Sequence, residues 1–161
     1  RYMNGKGRLT QKETEGFNLF AGKAKCATCH YIPLFNGLVP PQFTETESEV
    51  IGVPETTGTA YAKLDDDLGK FLFTRSAIHK YSFKTPTLRN ITLTAPYMHN
   101  GVFRTLEAVI DFYNKGGGSG IHTAPENQTL PADELRLSRK EIKSIIAFLG
   151  TLTDRNAQGS R

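Results

Sequence analysis

The stretch Lys25-Cys26-Ala27-Thr28-Cys29-His30-Tyr31 limits what this chain can become more than any other. Cys26 and Cys29 are its two cysteines, they stand three positions apart, and a histidine follows the second at once. A pair at this spacing can form a redox disulfide, supply half of a zinc site or anchor a haem. A structural zinc site needs two more Cys or His ligands at similar spacing, whereas His79, His99 and His122 are scattered singly. A thioredoxin-like dithiol would sit in a βαβ context, which the pattern of this chain does not supply. Haem attachment fits all three residues. Thioethers from two sulfurs on one helical turn leave the next imidazole placed to reach under the ring to the iron. The motif therefore predicts one covalent haem c on Cys26 and Cys29, with His30 as the proximal iron ligand.

Composition narrows the rest. At 161 residues the chain is long enough for one domain with a real core, and residues 1–161 read as a single domain. Its 38% apolar and 22% charged content is ordinary for a globular protein. The net charge of +4 is modest, and no Lys/Arg cluster is dense enough to predict nucleic acid as a partner. No apolar run approaches the ~18 residues that span a membrane. Haem c is attached outside the cytoplasm, so a periplasmic location is expected. No signal peptide precedes Arg1, which reads as a mature or trimmed sequence.

Three helices are expected. Thr10 and Glu13 fit a capping box ahead of Phe17, Phe20 and Ala24, which share one apolar face. Gly16 and Gly22 weaken that pattern. Ser138 and Glu141 form a second capping box before Ile142, Ile145, Ile146, Leu149 and Leu152, with Phe148 at the flank. Thr105 caps a third helix running to about Asn114, with Leu106, Val109, Ile110 and Tyr113 on one face. The glycine run at 116–120 lacks the Lys-Ser/Thr of a phosphate loop and reads as a C-cap and flexible loop. Residues 31–104 are rich in proline and poor in pattern. A small β-hairpin near "KFLFT" and "KYSFK" is expected there, and "LDDDLG" at 64–69 reads as a solvated helix start. The reading is all-α: a cytochrome c-like fold whose long loops wrap the haem as a substitute for a larger core.

The sixth iron ligand has three candidates among the residues: Met98, His99 and Tyr113. Met98 is the familiar choice, because His/Met haems are common; its alternative is a core methionine beside the haem. Tyr113 alone reads as an amphipathic tyrosine at a helix end. His79 and His122 read as surface residues.

The segment "FKTPTLRNITLTAPYMHNGVFRTLEAVIDFYNKGG" (Phe83–Gly117), with "CATCH" and the closing "LSRKEIKSIIAFLGTLT", resembles the C-terminal haem domain of bacterial di-haem cytochrome c peroxidases and MauG-like proteins. The likeness covers roughly residues 10–154. Family members carry two CxxCH motifs, one per domain, with the peroxide-reacting haem in the N-terminal domain, and this chain has one. The resemblance therefore implies the electron-transfer half of an oxidoreductase, partnered by an N-terminal haem domain or second haem protein and by a redox partner protein. The isolated chain would lack the peroxidatic haem. Ordinary members place a methionine ligand fourteen residues beyond the histidine of their PYxHxG motif; from His99 that register reaches Tyr113, the residue type found there in MauG-like members. The resemblance also implies a calcium ion held partly by main-chain carbonyls of Thr94 and Pro96, His99 and Met98 close to the haem, and Arg89 as partner of a haem propionate or a carbonyl. The alternative function is a stand-alone mono-haem electron carrier with no catalysis of its own. A third, weaker reading is an open haem site that binds a small ligand.

Overall fold

The computed structural model describes residues 7–57 and 62–154. Four α-helices carry the fold: α1 (Gln11–Ala21), α2 (Phe71–Thr74), α3 (Leu106–Asn114) and α4 (Arg139–Gly150). Two two-residue strands, β1 (Ser48–Glu49) and β2 (Phe83–Lys84), pair antiparallel. Short 3₁₀ turns fill much of the remainder, as expected of a mainly helical chain with long loops. Among the described residues no helix is long and apolar enough to cross a membrane. The chain divides into two compact units, one of Arg1–Glu45, Pro86–Thr94 and Leu137–Arg161, the other of Thr46–Thr85 and Ala95–Arg136.

The first unit is built on α1 packed against α4. Both helices start with a complete capping box. Thr10 Oγ1 accepts from Glu13 N at 3.3 Å while Thr10 N donates to the Glu13 carboxylate, and Ser138 and Glu141 repeat the exchange. Each box satisfies two N–H groups that a helix start leaves unpaired. Gly16, expected to weaken α1, turns out to be its contact point. A Cβ there would lie 1.9 Å from the Ser144 carbonyl oxygen, so only glycine lets the two backbones approach this closely. Beside that contact the Ser144 hydroxyl donates to Glu15 Oε2 at 3.0 Å, which gives a buried hydroxyl its partner.

Phe148 moves from the flank of its helix to the middle of the core. It is 3% exposed, and its ring lies 5.3 Å from Phe17, 5.4 Å from Phe20 and 5.8 Å from Phe35. Burial of each such ring stabilises by roughly 1.5–3 kcal/mol, with tilted and edge-on pairing adding about 0.5–1.5 kcal/mol per pair.

In the second unit α3 begins at Thr105, whose hydroxyl accepts from Ala108 N at 3.2 Å. It buries Leu106, Ile110 and Phe112, the last of which packs its ring at a tilt against Phe103, centroids 5.3 Å apart. The helix ends at Asn114 with Lys115 as its C-cap, and the chain turns away at Gly116, which takes φ +87° and where a Cβ would meet the Ala132 carbonyl at 2.3 Å. Three expectations need correction here. The glycine run is not a flexible loop: Gly117–Ile121 forms a 3₁₀ turn with Gly117 and Gly118 buried. The small antiparallel pair exists with a different partner: Phe83–Lys84 pairs with Ser48–Glu49, and "KFLFT" supplies helix α2. The acidic "LDDDLG" does not start a helix. Its aspartates fold back on the main chain instead, with Asp65 Oδ1 accepting from Asp67 N and Asp67 Oδ1 from Gly69 N at 3.0 and 2.8 Å. Short acidic side chains compete with helix in this way.

Candidate haem-binding site

The chain leaves α1 through Gly22, passes Lys25 in the left-handed region at φ 55°, and enters a 3₁₀ turn over Cys26–Thr28. Cys26 O accepts from Cys29 N at 3.3 Å and from His30 N at 3.0 Å. Both thiols and the imidazole thus hang from one tightened turn, as the spacing predicted. Cys26 and Cys29 form no disulfide. Burial pushes the Cys26 thiol up to about 12, and it donates to Ala24 O at 3.5 Å. Reactive dithiols depend on a lowered pKa, so this thiol is ill suited to thioredoxin-type exchange.

His30 Nδ1 lies 3.1 Å from the carbonyl oxygen of Pro86, in the same unit. A carbonyl can only accept, so Nδ1 carries the proton and donates, and Nε2 keeps its lone pair. Burial lowers the imidazole to about 4, and the Pro86 bond, which acts upward, does not offset it. The ring is therefore neutral across physiological pH with Nε2 as its basic atom. That is the state a metal needs from histidine, and a second-shell carbonyl on Nδ1 is the usual means of fixing it. The residues present fit a haem.

The Pro86 carbonyl belongs to a strap, residues 86–94, which also holds Arg89. Arg89 is paired with the Asp154 carboxylate, at 2.5 Å. Thr94 closes the strap, its hydroxyl donating to Ile91 O at 3.2 Å.

The other predicted site residues lie in the second unit. Pro96 follows a cis peptide bond. Met98 is half-buried at φ +70°, in a turn between the bridged residues Tyr97 and Phe103. The His99 ring stacks on Phe83, with centroids 3.7 Å apart and planes within 8°. Its Nε2 lies 3.0 Å from Asp65 Oδ1, and Asn100 Nδ2 donates to both Asp65 Oδ2 and Pro54 O at 2.9 Å. Burial acts to raise the Asp65 carboxyl, but the bonds from Asn100 and His99 outweigh it and hold Asp65 below its usual value. Tyr113 is half-buried near the end of α3, edge-on to Phe112 at 5.6 Å.

Two groups were invisible to the sequence reading. Pro86 contributes through its main chain from fifty-six residues away. Asp65, the partner of His99, sits inside an acidic run that reads as solvated surface. Only the proline after Thr85 marks the first, as a place where the chain must stay extended.

No family model matches the chain. It is 36% identical to a cytochrome c peroxidase, IdrP2, of Denitromonas iodatirespirans over 166 residues, covering 95% of this chain and 43% of that protein. It is 35% identical over 139 residues to the methylamine utilization protein MauG of Methylorubrum extorquens, covering 85% of this chain and 33% of that protein. Among solved structures, a MauG-like protein associated with microbial copper homeostasis superposes with a TM-score of 0.79 at 32% identity, over 96% of this chain and 47% of the other. The chain thus spans less than half the length of these relatives. A single turn bearing two thiols and an oriented imidazole, set in a fold and sequence matched along nearly its whole length, places the chain in the bacterial di-haem cytochrome c peroxidase and MauG-like family, as a counterpart of its C-terminal domain.

Proposed function

We propose that the chain is a haem c electron-transfer domain of a di-haem peroxidase or MauG-like oxidoreductase. It would relay electrons to or from a peroxide-reacting haem carried by another domain or protein, in the periplasm. The observation that carries this reading is the His30–Pro86 bond, which leaves Nε2 as the basic nitrogen of a desolvated ring beside Cys26 and Cys29. The two sulfurs would hold the porphyrin through thioethers and His30 Nε2 would ligate the iron. Tyr113 would be the sixth ligand, on the strength of its fourteen-residue register from His99. Bound there, the haem supplies a one-electron Fe(III)/Fe(II) couple. A phenolate from Tyr113 adds negative charge at the metal and favours its oxidised form, whereas Met98 in that place would favour the reduced form. The main-chain carbonyls of Thr94 and Pro96 would contribute to a calcium site.

Intact mass tests the core of the reading: one covalent haem is expected, and no haem on protein matured with a c-type assembly system overturns it. Ferric EPR and near-infrared spectra of wild type and Tyr113→Phe test the sixth ligand. A changed spectrum is expected, and identical spectra remove Tyr113 from the iron. A second reading is a stand-alone electron carrier. A second CxxCH upstream in the same reading frame decides for the first reading. For this chain by itself, little hydrogen-peroxide turnover is expected.

A further inference from the structure

The strap that carries the Pro86 carbonyl is anchored at a second point, away from His30. Asn90 and Asp154 form a reciprocal clasp. Asn90 Nδ2 donates to Asp154 Oδ2 at 3.1 Å, and Asp154 N donates back to Asn90 Oδ1 at 2.7 Å. Asn90 N also donates to Leu152 O at 3.1 Å, so three bonds join one asparagine to the chain just beyond α4. Arg89 closes the group by pairing with the other oxygen of Asp154. Asn90 sits at φ +63°, a conformation that asparagine tolerates far better than most side chains.

Between the clasp and Pro86 lies one more tie. Leu88 N donates to Phe35 O at 2.8 Å, and Phe35 N donates to Tyr31 O, next to His30, at 2.7 Å. The short run from Pro86 to Asn90 is thus pinned at both ends. One pin is the segment that follows the histidine, and the other is the segment that follows α4. A carbonyl held this way keeps its distance and direction to Nδ1 only while both pins hold.

We infer that Asn90 and Asp154 are positioning residues for the axial histidine. They fix the Pro86 carbonyl against His30 Nδ1 and thereby set how strongly the imidazole donates to the metal. This rests on the proposed haem ligation by His30. Loss of the clasp lets the carbonyl drift, weakens the Nδ1–H bond and makes Nε2 a poorer donor, which disfavours the oxidised metal.

The test compares haem-loaded wild type, Asn90→Ala, Asn90→Gly, Asp154→Ala and Thr92→Ala. Thr92 serves as control, since its hydroxyl bonds the Thr153 hydroxyl at 2.9 Å in the same neighbourhood outside the clasp. At the potential where wild type is half reduced, the oxidised-to-reduced ratio should fall about tenfold in Asn90→Ala and Asp154→Ala. Thr92→Ala should stay at the wild-type ratio even if it melts earlier. Asn90→Gly keeps the backbone conformation and loses the clasp, so it should follow Asn90→Ala. A ratio unchanged in the clasp variants, or shifted equally in Thr92→Ala, overturns the inference, as does full recovery in Asn90→Gly. If wild type carries no haem, the functional reading fails on its own. The clasp is then judged by nitrogen-15 NMR of the haem-free protein. Retention of the Nδ1–H bond of His30 in Asn90→Ala sinks it, and loss of that bond supports it.

Discussion

His30 and His99 are both held by a single strong partner, and the kind of partner separates their chemistry. His30 spends Nδ1 on a main-chain carbonyl, which takes a proton's worth of hydrogen bonding and leaves Nε2 basic. His99 has Nε2 engaged by a carboxylate and its ring face covered by Phe83. The first arrangement prepares a ligand. The second consumes the nitrogen that most often serves as one. A histidine's neighbour is therefore more informative than its presence, and the two units supply their neighbours differently. Around His30 the neighbours are helix packing and a strap of main chain; around His99 they are polar side chains from a turn-rich segment.

The largest expected effect breaks the comparison directly. In the protein loaded with its proposed haem, His30→Ala should change the haem's ligand-sensitive spectrum, while His99→Ala should leave it as in wild type. Absorption and EPR of the two purified variants check this, and equal spectral loss in both would erase the distinction. Next comes packing. Phe148→Ala removes the ring shared by Phe17, Phe20 and Phe35, and should cost about 3–5 kcal/mol in urea unfolding. Asp65→Ala should cost less, about 0.5–1.5 kcal/mol, because it removes the bonds with His99 and Asn100 without emptying a core. Equal losses would mean that the second unit relies on its polar cluster as heavily as the first relies on its aromatic one.

The smallest effect is electrostatic. Glu141 is held at about 2 against an ordinary 4.5, first by its bond from Lys23 and then by Ser138. Its folded-state pKa is depressed, so its contribution is fully present above pH 4.5 and is lost as pH falls toward 2. The pair is partly exposed, which keeps the contribution within about 1 kcal/mol. Acid titration of Glu141→Gln against wild type should show a shallower loss of stability in that window, and parallel curves would assign the acid sensitivity elsewhere.

What the sequence disclosed follows from how local each signal is. The capping boxes at Thr10 and Ser138, the cap at Thr105 and the Cys-Cys-His turn are each complete within five residues, and all four stand where their spacing put them. Phe148 was misplaced at the edge of its stripe because its importance comes from Phe35, distant in the chain. Pro86 acts through a carbonyl, which every residue has and no composition reveals. Asp65 reads as solvent-facing until Asn100 and His99 are seen to fold over it. The short helix α2 escaped because four residues cannot show a period.

Gly16 adds a consequence for the order in which the protein comes into being. A Cβ there would crowd the Ser144 carbonyl and the Phe148 Cβ, both on α4, and an eleven-residue helix in water is marginal by itself. During synthesis α1 lacks its α4 partner until residues 139–150 have been made. The two cysteines follow α1 directly, so their turn gains that support only once α4 is in place. Arrival of α4 is then the step that steadies the thiol-bearing turn.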